Sequence, residues 1–337
     1  MTDVAIIGHL ESVADYTELL TELRAGRAPD EAALARLLRA LRPAPVCDLR
    51  VESAAGVRLH ARYVDLFLVV DRHFHAASAR SKLERACEEA RRTGARVAAL
   101  GGFASIVAER DVDLARTYGL AFTTGNTLTA ATLAAQVESI ADERTTITVV
   151  GAAGDVGSGL CRLLYERGRR LVLVGRSPRP LASLAEELRG VELDSLEGAL
   201  PRTDVLVLVA SAAFGAVSLA GLPPHARVID AGHPRNALES EHACARGGRV
   251  RHPVLPTSDI AAVLRFEGPP GESHACLAEA CVLAYDERYD ACSVGRGRIT
   301  AAAGRAMLAR AARHGITPAP LHWSRAAVVR EGLPAST

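Results

Sequence analysis

Glycines at 151, 154 and 157 punctuate the run Ile147-Thr-Val-Val-Gly-Ala-Ala-Gly-Asp-Val-Gly-Ser158. At this spacing the first glycine can bend the chain sharply, the second lets backbone approach a pyrophosphate, and the third lets a helix pack on its strand. Branched apolar residues precede the turn, and Ser158-Gly-Leu-Cys-Arg-Leu-Leu-Tyr-Glu-Arg167 continues it with helical periodicity. The first turn of that helix would offer N–H groups to phosphate. Gly151, Gly154, Asp155, Val156, Gly157 and Ser158 are therefore expected to bind a dinucleotide. The next apolar strand, Leu171-Val-Leu-Val-Gly175, runs into Arg176-Ser-Pro-Arg179, where an NAD site would place Asp or Glu for the ribose 2′-hydroxyl. A guanidinium beside a hydroxyl suits a 2′-phosphate, so Arg176 and Ser177 point to NADPH. Ser211, just after a strand at 204–209, is a further cofactor-binding candidate.

A second chemistry is written in Pro270-Gly-Glu-Ser-His-Ala-Cys-Leu-Ala-Glu-Ala-Cys-Val-Leu-Ala-Tyr285. Ser273 is a natural N-cap, with proline and glycine breaking structure ahead of it. The pattern predicts a helix over 273–285 with Cys276 near its third position, where the positive helix end favours thiolate over thiol. Cys281 falls on another face and reads as a small core residue. His274 is adjacent, but neighbouring helix positions point in different directions. A thiolate can accept an acyl group from a thioester, because one thioester replaces another. If Cys276 and the dinucleotide share a cleft, hydride can reduce that acyl group, and the resulting hemithioacetal expels the thiolate and releases an aldehyde.

The elements that must position these residues follow an α/β plan. Strands are expected at 4–8, 47–53, 63–70 and 96–100, with helices at 81–92 and 127–141. Beyond 145, strands at 147–150, 171–175, 204–209 and 227–231 alternate with helices at 158–168, 180–189 and 215–221, a doubly wound pattern. Residues 250–255 could add an outer strand, confined to an edge by Pro253. The chain beyond 266 reads as mostly helical, including a helix at 299–314. This gives three regions: an α/β domain at 1–142, a Rossmann-like domain at 143–265, and a helical segment at 266–337 that carries Cys276.

With 337 residues and a net charge of +1, the chain can bury large cores and has no global field for nucleic acid or anionic membrane. Lys82 is the only lysine. Seven cysteines without a Cys-x-x-Cys pair suggest neither a disulfide framework nor a zinc site. The amino terminus lacks a basic, signal-like pattern. The uncharged stretch 205–222 reads as strand, loop and short helix better than as a transmembrane segment. A soluble, cytoplasmic protein is expected.

Several ordered blocks resemble the aldehyde-forming long-chain acyl-[acyl-carrier-protein] reductases typical of cyanobacteria. They are Ile7-Gly-His-Leu10, Ala99-Leu-Gly-Gly-Phe-Ala-Ser-Ile-Val107, Phe122-Thr-Thr-Gly-Asn-Thr-Leu-Thr129, Gln136-Val-Glu-Ser139, the 151–158 turn, Val228-Ile-Asp-Ala-Gly-His-Pro-Arg-Asn236 and Ala275-Cys-Leu-Ala-Glu-Ala280. The resemblance implies an N-terminal acyl-handling domain, a central NADPH domain and Cys276 as the acylated nucleophile. It implies an acyl carrier protein as thioester donor, with acyl-CoA as another carrier, and an aldehyde-consuming enzyme downstream. Gly101, Gly102, Phe103, Thr123, Thr124, Gly125 and Asn126 fall in family blocks that could line the thioester channel. Asp230 and His233 follow the fourth central strand, at the edge where such sheets bind ligands, and His233 could protonate the collapsing intermediate. His233 stands where family members often carry tyrosine, and His274 where they carry a bulky apolar residue. Arginines at 91–92 and 167–170 could meet an acidic carrier. Two other readings stay open at this point: a shikimate-dehydrogenase-like alcohol dehydrogenase with a structural Cys276, and a non-catalytic NADP-binding scaffold.

Overall fold

The computed structural model describes residues 2–10, 12–17, 30–69, 76–108, 114–210, 217–232, 236–237, 242–253, 271–289, 293 and 298–324. Two compact units emerge: residues 1–133 with 248–319, and residues 134–247 with 320–337. The boundaries read from sequence at 142 and 265 do not coincide with this division. Gly248 onward returns to the first unit rather than forming a separate helical segment.

The first unit is built on strands β1 (Val4–Gly8), β2 (Ala44–Glu52), β3 (Arg58–Asp65), β4 (Val97–Leu100) and β5 (Ala121–Thr123). They lie in the order β2-β3-β1-β4-β5, parallel except for β2. Helices α1 (Glu31–Ala40), α2 (Ala76–Arg92), α3 (Phe103–Ala108), α4 (Leu114–Tyr118) and α5 (Asn126–Glu138) connect or follow them. Strand alternation splits the buried residues between two faces. Ala5, Ile7, Val64, Ala98 and Leu100 meet Ala79, Leu83, Ala86 and Ala90 of α2. Sequence reading placed β3 at 63–70. The strand begins at Arg58 because Arg58, His60 and Arg62 face β2 acids on the polar side while Leu59, Ala61 and Tyr63 are buried. After Asp65 the chain leaves the sheet, and Leu66, Leu68 and Val69 are buried outside any strand.

The second unit holds β6 (Thr146–Val150), α6 (Asp155–Glu166), β7 (Arg170–Val174), α7 (Pro178–Glu187), β8 (Glu192–Leu193), α8 (Leu196–Ala199), β9 (Val205–Leu208), β10 (Arg227–Asp230) and β11 (Ala243–Arg246). Parallel strands run β11-β10-β9-β6-β7-β8, with the late strand Trp323–Ser324 antiparallel outside β11. Counted from β6, this is the 3-2-1-4-5-6 order of a dinucleotide-binding sheet, with its switch point between β6 and β9. The helix expected at 215–221 is absent over 217–221, where irregular chain ends in a turn; residues 211–216 lie outside the described residues.

Back in the first unit, β12 (Arg249–Arg251), β13 (Glu272–His274) and β14 (Thr317–Pro318) form an antiparallel sheet in the order β13-β12-β14. The strand expected over 250–255 at an edge of the dinucleotide sheet is found instead at Arg249–Arg251, the centre of a different sheet, paired on both sides; residues 254–255 lie outside the described residues. From β13 the chain enters α9 (Ala275–Tyr285), and α10 (Ala301–Arg313) follows, capped by the Thr300 hydroxyl. Apart from Glu279, α9 carries apolar residues on all its faces, as suits a helix buried in a core. It packs on the second face of the first sheet, against Val4, Ile6, Leu59, Ala61, Val97 and Ala99.

Candidate functional site

In the second unit, the turn after β6 is made of bare backbone. Gly151 has φ +92°, and a Cβ there would lie 2.7 Å from the Ala210 nitrogen beyond β9. A Cβ on Gly157 would lie 2.2 Å from the Gly151 carbonyl oxygen, so the first turn of α6 rests directly on the loop. Gly154 is the N-cap of α6 and brings no capping side chain. Asp155 and Val156 open the helix, half-buried, at the switch point. The Ser158 hydroxyl turns inward to the Asp155 carbonyl at 3.2 Å, so this buried residue supports the turn through packing. At the end of β7, Arg176 is exposed and Ser177 is the N-cap of α7 without a side-chain capping bond. Glycine clearances and an open helix start fit a dinucleotide pyrophosphate.

Asp230 ends β10, and its carboxylate accepts the N–H groups of Gly232, Asn236 and Ala237 at 2.9, 2.8 and 2.9 Å. The Asn236 amide donates at 3.2 Å. These donors make Asp230 an organiser of the loop that leaves β10. Two expected residues, His233 and Ser211, lie outside the described residues.

In the first unit, Cys276 is the second residue of α9, with His274 as N-cap. Ser273, the expected cap, belongs to β13, and its hydroxyl pairs with His252 Nε2 at 2.7 Å. Burial pushes His252 down to about 4, so that ring is neutral at ordinary pH. Cys276 keeps partial surface exposure yet is closely surrounded by protein. Burial pushes its thiol up to about 11; the Leu277 N–H pulls down, and the Glu279 carboxylate pushes further up. Desolvation thus works against the thiolate that the helix start was expected to favour.

The loop after β5 presses on this turn. Gly125 has φ +70°, and a Cβ on it would lie 2.1 Å from the Cys276 Cα. Its N–H donates to the Thr123 hydroxyl at 2.9 Å, which in turn donates to Glu279. Glu279 also accepts the Leu128 N–H at 2.7 Å and the Ser293 hydroxyl at 2.6 Å. Thr124 donates to the Ser293 carbonyl at 2.6 Å, and Asn126 begins α5. The structure thus gathers Thr123, Thr124, Gly125 and Asn126 around the Cys276 turn. Sequence reading missed Glu279, although it is the one charge in an otherwise apolar helix.

Gly102 and Phe103 are tied to His9 instead, while the Gly101 N–H donates to the Ile7 carbonyl at 2.9 Å. The Phe103 N–H donates to His9 Nε2 at 3.0 Å, and His9 Nδ1 donates to the Leu10 carbonyl at 2.7 Å. Gly102 has φ +56°, and a Cβ there would lie 2.8 Å from that ring. His9 is a second residue whose role sequence reading did not assign; its signal was the block it shares with Gly8. Of the arginines considered for a carrier, three are engaged locally: Arg91 with Glu88, Arg92 with Glu89, and Arg169 with Glu138. Among the described residues, no cluster of His, Cys, Asp and Glu is arranged for a metal. No described helix is long and apolar enough to cross a membrane.

No family model matches the chain. Among solved structures, it is similar to the nucleotide-binding domain of glutamyl-tRNA reductase from Thermoplasma volcanium. That match has 20% identity and TM-score 0.28, over 32% of this chain and 78% of that one. It is also similar to L-tryptophan dehydrogenase from Nostoc punctiforme, at 15% identity and TM-score 0.35, over 68% and 62% of the two chains. Aminotransferase PigE of a Serratia species is 28% identical over 73% of this chain, which spans 31% of that longer protein. The long-chain acyl-[acyl-carrier-protein] reductase of Synechococcus elongatus is 32% identical over 94% of this chain and 98% of its own length. On that full-length similarity, the chain belongs to the long-chain acyl-[acyl-carrier-protein] reductase family.

Proposed function

We propose that this chain reduces the acyl thioester of an acyl carrier protein to a free aldehyde, with Cys276 as acyl acceptor and NADPH as electron source. Family membership supports the reaction class. The observation that carries the residue assignment is Cys276 in the first turn of α9, held by the Gly125 backbone and the Glu279 network.

Cys276 attacks the thioester carbonyl, its S–H proton passes to the departing carrier thiol, and the acyl group rests on the sulfur. Backbone N–H groups of the α9 first turn favour the negative charge that develops on the carbonyl oxygen during attack. Bound at the 151–158 turn, the dinucleotide supplies hydride. Arg176 and Ser177 would hold the 2′-phosphate, and the glycines would let backbone meet the pyrophosphate. Cleavage of the carbon–sulfur bond then frees the aldehyde, and Cys276 recovers a proton. His233 is our proposed proton donor, with Asp230 positioning its loop. Gly101, Gly102 and Phe103 form a firm turn that we assign to the acyl-handling region. A reactive aldehyde implies a consuming enzyme downstream. No disulfide joins any two of the described cysteines, which suits the cytoplasmic location we propose.

Intact-mass measurement tests this reading. The protein is incubated with an acyl carrier protein thioester without NADPH. An acyl adduct on Cys276 is expected, which added NADPH discharges as aldehyde. No adduct, or an equally abundant one in Cys276→Ala, would sink the proposal.

A further inference from the structure

We propose that Glu279 is a positioning residue for the nucleophile: its carboxylate latches the 123–126 loop and the first turn of α5 onto the turn that carries Cys276. Glu279 is wholly buried in a helix whose other positions are apolar. Burying a carboxylate is costly, and alanine or leucine would fill the space without that cost. Its oxygens accept from Thr123, Ser293 and the Leu128 N–H, groups that come from the end of β5, the start of α5 and a separate segment at 293. The Thr127 N–H donates to the Ser293 hydroxyl at 3.0 Å, so the start of α5 is capped by Glu279 and Ser293 together.

The latch has a direct bearing on the sulfur. Thr123 connects Glu279 to the Gly125 N–H, and Gly125 is the residue packed on the Cys276 Cα. Glu279 is three residues beyond Cys276, a spacing that puts both on one side of the helix, one turn apart. Its charge opposes ionisation of the thiol. Among the described residues, the loop, the start of α5 and Ser293 present only uncharged groups around this turn. The resting enzyme therefore holds a protected thiol. A sulfur of high proton affinity is, once ionised, the stronger nucleophile toward a thioester.

The inference rests on Cys276 being the acyl acceptor, so its test includes a measurement that needs no acyl donor. Iodoacetamide alkylation of Cys276 is followed against pH by peptide mass in the full chain, beside single-turnover acyl transfer from a carrier thioester. In folded Glu279→Gln, the alkylation curve moves to lower pH, with about a tenfold faster rate at fixed pH per unit of displacement. Acyl transfer falls by at least about tenfold, since a side-chain amide cannot match every donor. Glu279→Asp restores part of the transfer. Thr123→Val and Ser293→Ala keep the charge, lose transfer, and leave the alkylation curve without a downward move. An unmoved curve or wild-type transfer in Glu279→Gln overturns the proposal. Should that variant not fold, wild-type transfer in both Thr123→Val and Ser293→Ala overturns it. A displaced curve with no adduct in the wild type would remove the acyl-acceptor reading and leave the latch in place.

Discussion

Gly125 and Cys276 share one space: a Cβ on the glycine would lie 2.1 Å from the Cys276 Cα and 2.2 Å from its carbonyl oxygen. Both atoms are backbone, so neither can rotate away. Positive φ at Gly125 adds a penalty of about 1–2 kcal/mol for any L side chain. Gly125→Ala is expected to lower the melting temperature and cut acyl transfer to Cys276 by more than about tenfold, because the loop must leave the turn. Stopped-flow or quenched intact-mass assays read the second effect. A variant that acylates at the wild-type rate would mean the loop does not shape the reacting turn.

The same reasoning applies to the cofactor turn. A Cβ on Gly157 would lie 2.2 Å from the Gly151 oxygen and 2.9 Å from the Ala152 Cα. Gly157→Ala therefore has to push α6 off the loop and with it the N–H groups offered to phosphate. A weakening of NADPH binding of at least about tenfold is expected, worth about 1.4 kcal/mol, in a fluorescence titration. Acylation of Cys276 without NADPH should survive. Unchanged NADPH affinity would count against the assignment of this turn.

Arg176 tests cofactor choice. It is exposed at the end of β7, next to the uncapped start of α7 at Ser177. Loss of a charged phosphate contact costs roughly 1.5–3 kcal/mol. Arg176→Ala should weaken NADPH by that amount and NADH far less, as read from the two dissociation constants. Equal weakening of both would refute the 2′-phosphate role.

These residues differ in how far sequence could reach them. Gly151 and Gly157 were legible because each makes a local demand, a positive φ at Gly151 and a close approach of Gly157 to the Gly151 carbonyl within seven residues of chain, although the Ala210 backbone that also crowds Gly151 comes from distant chain. Cys276 was legible as a first-turn residue even though the cap moved from Ser273 to His274. Its ionisation was not legible, since burial depends on packing from distant chain. Glu279 was hidden for the same reason. Its partners Thr123 and Leu128 are 156 and 151 residues away in sequence. The start of β3 was missed because Arg58, His60 and Arg62 interrupt the apolar run, and only pairing with β2 explains their alternation.

Asp65 predicts a pH dependence of stability. Its carboxyl, at the end of β3, accepts the Tyr16 hydroxyl at 2.8 Å and the Phe67 N–H at 2.6 Å. Burial pushes it up to about 6, against the downward pull of those two donors and of the Lys82 charge. Lys82 is itself fixed by the carbonyls of Leu38 and Phe67, each at 2.8 Å. The folded chain thus holds this proton more tightly than the unfolded chain, where the group titrates near 4. Protonation stabilises fully below about pH 4, and that stabilisation is lost as pH rises through about 6. The loss amounts to about 3 kcal/mol for about two pH units. Asp65→Asn keeps an acceptor for Tyr16 and Phe67 but removes the titration. Urea unfolding of both proteins at pH 4, 5, 6 and 7 should show the wild type losing ground to the variant between 4 and 6, with a constant difference above about 7. A difference that stays level from pH 4 to 7 would place the Asp65 proton affinity at its ordinary carboxylate value and remove burial as its governing influence.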